Sequence, residues 1–109
     1  MGEDEELPPE DDESARPKVY PFNPLECERN IKVGNFYMHR GRATDYRRAL
    51  NRYEDATKYN PSSAEAFFKV GEAEEKLKDK DAARLAFERV VRLGGDAKLV
   101  QQAKKKLGS

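Results

Sequence analysis

The sequence predicts an all-α fold, a stack of two helical hairpins closed by a C-terminal capping helix. Three observations point there. Of the 109 residues, 39% are charged and 37% hydrophobic, tryptophan is absent, and Ala, Glu, Lys, Arg and Leu are plentiful; these are strong helix formers. Apolar side chains recur at spacings of three and four, which collects them on one face of a helix. A block of residues then returns after 34 positions, the mark of a repeat array. The length suits one domain, and so polar a chain has to build a thin core from small side chains.

Residues 1–18 read as a disordered acidic tail. Glu3, Asp4, Glu5, Glu6, Glu10, Asp11, Asp12 and Glu13 against Arg16 alone give residues 1–16 a charge of −7, and the remaining chain carries +7. Low hydrophobicity with high net charge cannot offset the entropy of folding. Residues 19–26 are an extended segment held by Pro21 and Pro24. Tyr20, Phe22 and Leu25 are expected to pack on the first helices.

The first helix is expected from about Pro24 to Arg40, with Leu25, Ile31, Val33, Phe36, Tyr37 and Met38 apolar and Gly41 as a left-handed cap. Asp45 is expected to cap the second helix, which carries Tyr46, Ala49, Leu50, Tyr53, Ala56 and Tyr59 and stops at Asn60-Pro61. Ser62-Ser63-Ala64-Glu65 reads as a capping box with Ser62 at the cap. The third helix then carries Ala66, Phe67, Phe68, Val70, Ala73 and Leu77. Asp79 or Asp81 caps the fourth, with Ala83, Ala86, Phe87, Val90, Val91 and Leu93, and Gly94-Gly95 ends it. Asp96 opens a fifth, Lys-rich helix through about Leu107.

Ala49-x3-Tyr53-x2-Ala56-x4-Pro61 aligns with Ala83-x3-Phe87-x2-Val90-x4-Gly95 at an offset of 34. Val33-Gly34-x2-Tyr37 aligns with Val70-Gly71-x2-Glu74 at 37, so Arg42, Ala43 and Thr44 read as an insertion in the first turn. Gly34 and Gly71 would admit a close neighbouring helix. Tyr53 and Phe87 would fill the space between adjacent helix pairs.

Over about residues 27–95 the pattern resembles the tetratricopeptide repeat family, aromatic-x2-Leu-Gly-x2-Tyr followed by Ala-x3-Phe-x2-Ala-x4-Pro. The resemblance implies a right-handed stack with repeats at 27–61 and 62–95 and a polar cap at 96–109. Asn30 stands where the leading aromatic belongs, Glu74 replaces the tyrosine and Gly95 replaces the proline. Phe36-Tyr37-x2-Arg40-Gly41 with Tyr46-x2-Ala49-x2-Arg52-Tyr53 is similar to bacterial cell-envelope members, the outer-membrane barrel-assembly lipoprotein subgroup.

No catalytic constellation is visible, so an enzyme is not expected, nor a cofactor. Cys27 and His39 stand twelve positions apart, about 18 Å along a helix, too far to form a nucleophile–base pair. One cysteine excludes an intrachain disulfide. Leu25-Glu26-Cys27 lacks the apolar stretch that would precede a lipid anchor. Glu72, Glu74 and Glu75 read as a solvated helix face. Lys98, Lys104, Lys105 and Lys106 with Arg84, Arg89 and Arg92 lack the interleaved aromatics of a single-strand-binding surface, so nucleic acid is the distant reading.

The resemblance places the first helix of each pair on a concave groove. Glu28, Ile31, Asn35, Met38 and His39 would line it from the first helix, and Glu65, Phe68, Glu72, Glu75 and Lys76 from the third. That mixture of apolar and acidic groups suits a protein or peptide partner with basic and apolar side chains. The alternative is self-association, since two repeats are marginal alone. No apolar run reaches the roughly 20 residues of a membrane span. The expectation is a soluble, cytoplasmic chain, with the cell envelope as the alternative if it is part of a longer precursor.

Overall fold

A computed structural model describes residues 19–108. The acidic tail expected over 1–18 lies outside the described residues, apart from what its sequence says. Five helices follow in order: α1 (Pro24–Arg40), α2 (Ala43–Tyr59), α3 (Ala64–Lys76), α4 (Lys80–Leu93) and α5 (Ala97–Lys106). The fold is all-α. Each helix packs on the next in sequence, and α3 also touches α1 and α5 across the stack. Among the described residues no helix is long and apolar enough to cross a membrane.

Local chemistry explains the boundaries. Asn23 opens α1 by accepting a hydrogen bond from the Glu26 amide at 3.1 Å, with Pro24 at the first helical position. Gly41 closes it at φ 75°. The N-cap of α2 is Arg42, not Asp45. Asp45 sits one turn in, and its Oδ2 accepts from the Arg42 amide at 3.4 Å and Arg42 Nε at 2.9 Å. The supposed insertion therefore does not lengthen the turn. Ala43 and Thr44 are helical, and α2 has 17 residues against 14 in α4. The extra three make nearly one more helical turn.

The cap of α3 is Ser63, which accepts from the Ala66 amide at 3.1 Å, so the boundary lies one residue beyond the expected Ser62. Of the two aspartates considered for α4, Asp79 is the cap and accepts from the Ala82 amide. Asp96 does the same for α5 with the Leu99 amide. The α3–α4 turn closes through Lys78 at φ 67°. The Lys78 amide donates to the Glu75 carbonyl and the Asp79 amide to the Glu74 carbonyl, the pair of bonds of a Schellman motif.

The core has two parts that share α3. Cys27, Ile31, Tyr37, Ala49, Leu50, Tyr53 and Ala56 of the first hairpin close around Ala66, Val70 and Ala73. Ala64 and Phe68 join Ala83, Phe87, Val90 and Ala103 in the second. Small residues at the crossings let helices approach. A Cβ on Gly71 would come within 2.6 Å of the Phe87 ring, and one on Gly34 would strike Tyr53. The same glycine-to-aromatic contact thus recurs in both hairpins.

Residues 19–23 run along α2. The Tyr20 hydroxyl donates to Asp55 Oδ1 at 2.9 Å, its ring meets Tyr59 edge-on at 5.1 Å, and Lys58 lies over it. The Asn23 amide donates to the Tyr59 carbonyl at 3.0 Å. Phe22 and Leu25 do not pack as expected: they are 70% and 77% exposed. Tyr20 has both an aromatic partner and a buried acceptor on α2, whereas Phe22 has only its ring to bury.

Candidate functional site

The seam between α1 and α3 is built in tiers. Near the N-terminal ends of both helices, Glu28 and Glu65 both act on Cys27, whose side chain also meets Ser63. Burial pushes the Cys27 thiol pKa up against the opposing hydrogen bond with Ser63, and the two carboxylates add to the rise. About two turns along, the Tyr53 hydroxyl of α2 reaches through the seam to donate to Asn35 Oδ1 at 2.5 Å. Burial raises the Tyr53 pKa, and the charges of Glu72 and Glu65 raise it further. Glu28, Glu65 and Asn35 are exposed and Glu72 is half-buried. The seam therefore presents three carboxylates and one oriented amide. Lys69 sits 3.6 Å from Glu72.

The other expected groove residues divide. Ile31 and Phe68 are buried in the core at 4% and 7% exposure and do not line an open apolar groove. Ile31 is taken up by the first core cluster, and Phe68 stacks edge-on against Phe87 at 5.2 Å. Met38 packs against the first cluster. His39 is exposed near the C-terminal end of α1. Lys76 lies over the Tyr46 ring of α2. Glu75 pairs with Lys106 of α5 at 2.9 Å.

That last pair shows what the sequence reading of the groove missed. The C-terminal end of α5 brings Lys105 and Lys106 beside Glu72 and Phe68, with Gln102, around a hollow of about 340 Å³. The side of the stack that carries this seam thus runs from acidic between α1 and α3 to basic at α5. Positions 105 and 106 lie outside the repeat, so repeat spacing could not place them. The other basic residues do not gather into one patch: Arg84 pairs with Asp81 and Arg89 stacks on Phe67.

A second cavity, of about 550 Å³, lies on the other side of α3, between α2 and α4. Glu74 lines it and is only 8% exposed, so the reading of residues 72–75 as one solvated face fails at this position. Glu74 lies on the side of α3 that carries Phe67 and Val70, nearly opposite Glu65, Phe68 and Glu72 by the 3.6-residue turn. Burial pushes its pKa up to about 7, with the charges of Glu54 and Asp79 adding and that of Arg47 opposing.

Among the described residues, no group of three or more His, Cys, Asp or Glu side chains is placed to hold a metal ion. Cys27 and His39 stand near opposite ends of the unbroken α1. The tetratricopeptide repeat family model matches residues 38–98. Among curated proteins none matches the chain.

Proposed function

The chain belongs to the tetratricopeptide repeat family, and from that premise we propose a non-enzymatic module that holds a peptide segment of a protein partner on its concave side. Repeats of this family generally mediate protein–protein interaction. The observation that carries the finer reading is the α1–α3 seam, where Glu28, Glu65 and Glu72 flank an Asn35 amide oriented by Tyr53. A segment with basic side chains along the seam and an acidic one toward Lys105 and Lys106 matches this polarity. Repeat units 27–61 and 62–95 with a cap at 96–109 are the division that fits this role.

Panning a displayed library of random 12-residue peptides on the full chain tests it. Selected peptides should be rich in Lys and Arg. They should lose at least tenfold in affinity for a Glu65→Lys/Glu72→Lys double variant and keep it for Glu74→Gln. Equal binding to the double variant would refute the concave site.

A second reading rests on a separate observation. Val19, Phe22 and Leu25 are 76%, 70% and 77% exposed within seven residues of one another, an apolar patch at the end of the stack where another repeat could seat. The likeness of the first hairpin to barrel-assembly lipoproteins supports a setting in a bacterial cell envelope, in which such end-to-end stacking would serve a larger assembly.

A further inference from the structure

The cavity between α2 and α4 is not used by the concave-side reading. Its floor is Phe67, Val70 and Glu74 of α3, and its α4 wall includes Leu85, Ala86 and Arg89. Leu85, a large apolar side chain, is 65% exposed where it lines the cavity. Glu74 Oε1 is buried and has no hydrogen-bond partner among the described residues. A buried carboxylate without a partner is costly, and it sits here in place of the family pattern's tyrosine. Glu54 lines the same cavity from α2. On the far side, Arg89 is held over the Phe67 ring at 5.3 Å.

We propose that this cavity is a second docking site, on the convex side, and that it receives an arginine or lysine side chain of a protein partner, flanked by apolar residues. The lining carries Lys58, Arg89 and Arg92 as well as Glu54 and Glu74, so it is the unpartnered Glu74 oxygen on the floor that selects that occupant. A guanidinium or ammonium reaching the floor would supply Glu74 with the partner it lacks, and Glu54 adds a second negative charge. The methylene stem would lie along Val70 and Ala86, as long basic side chains do on apolar surface. A leucine-sized neighbour on the partner would cover Leu85. An acidic side chain reaching the floor would meet the Glu74 carboxylate and bring it no strong donor. A wholly apolar one would leave Glu74 unpaired.

The site carries its own pH signature. Glu74 binds a cation only when ionised, and its pKa in the free protein is raised to about 7 by burial and by Glu54 and Asp79, with Arg47 opposing. Lys58 of α2 and Arg89 and Arg92 of α4 also face the cavity. Affinity should therefore rise about tenfold between pH 6 and pH 8 as the carboxylate ionises.

The test uses the full chain, titrated with acetyl-Leu-Arg-Leu-amide and acetyl-Leu-Gln-Leu-amide and followed by amide NMR shifts. The arginine peptide should shift the amides of Val70, Glu74 and Leu85, bind at least tenfold more tightly than the glutamine peptide at pH 8, and weaken about tenfold at pH 6. In Glu74→Gln, whose spectrum reports whether it is folded, the preference for arginine and the pH dependence should both vanish. Equal affinity of the two peptides, shifts confined to the α1–α3 seam, or an unchanged preference in Glu74→Gln would each overturn the proposal. The concave reading stands or falls separately, because Glu65→Lys/Glu72→Lys leaves this cavity's lining intact.

Discussion

Glu74 shows how one side chain can link fold, stability and pH. Burial is the main reason that its pKa rises to about 7 from the usual 4.5. The folded state then binds a proton that the unfolded chain has released between those values, so stability falls as pH rises through that window. The protein should lose about 2–3 kcal/mol at this group between pH 4.5 and pH 8. Urea unfolding at the two pH values checks it: Glu74→Gln should flatten the difference, and a wild type equally stable at both would contradict the buried-acid account. Two backbone positions carry predictions of opposite sign. Lys78 holds a left-handed conformation at φ 67° that a side chain resists, so Lys78→Gly should stabilise by about 1 kcal/mol in thermal melts. Gly71→Ala would drive a Cβ to 2.6 Å from the Phe87 ring and should cost about 1–3 kcal/mol by overpacking.

At the scale of elements, the N-terminal segment and the start of α2 are where local and long-range forces divide the work. Tyr20 is anchored by its bond to Asp55 and its contact with Tyr59, while Phe22 stays in water. Removing residues 1–26 should lower the melting temperature, since it takes away Tyr20 and the Asn23 cap of α1, whereas removing 1–16 should not. Equal melting temperatures for the two truncations would deny the segment any structural part. At the start of α2, Asp45 is fully buried beneath Arg40, Arg42 and Arg48, which remain partly exposed. Burial alone would raise its pKa, but the hydrogen bond and charge of Arg42 and the charge of Arg40 win and hold it below the ordinary value. Its contribution is present above the unfolded carboxylate pKa and lost as pH falls through the lower folded one, on the acid side of the Glu74 window.

The described residues form a thin slab, 42 × 31 × 22 Å, in which each helix leans on its sequence neighbours. Such arrays are stabilised by interfaces between adjacent units, and two units are few. Here α5 supplies a third surface through Ala103, Leu99 and Leu107 against the second hairpin, and the Lys106–Glu75 pair ties it to α3. Among the described residues nothing covers the end beyond α1 in this way: Val19, Phe22 and Leu25 are 76%, 70% and 77% exposed. Sedimentation equilibrium should therefore show concentration-dependent association that Phe22→Asp weakens. A monomer at all concentrations would leave the patch without a role in stacking.

The sequence by itself determined the helices and their order, because caps and spacing act within a few positions of one another. It placed Gly41 at the end of α1 and Gly34 and Gly71 at close helix approaches, whereas Tyr53 and Phe87, expected between adjacent pairs, meet those glycines within their own hairpins. Only the tertiary structure decided which charged side chains leave the water. Glu72, Glu74 and Glu75 look alike along the chain, yet the first faces the α1–α3 seam, the second lies buried beneath α2 and α4, and the third meets Lys106. Ile31 and Phe68, expected in an open groove, are core for the same reason. Helical periodicity says which residues share a face of α3, but which neighbour covers that face depends on how α1, α2, α4 and α5 pack around it.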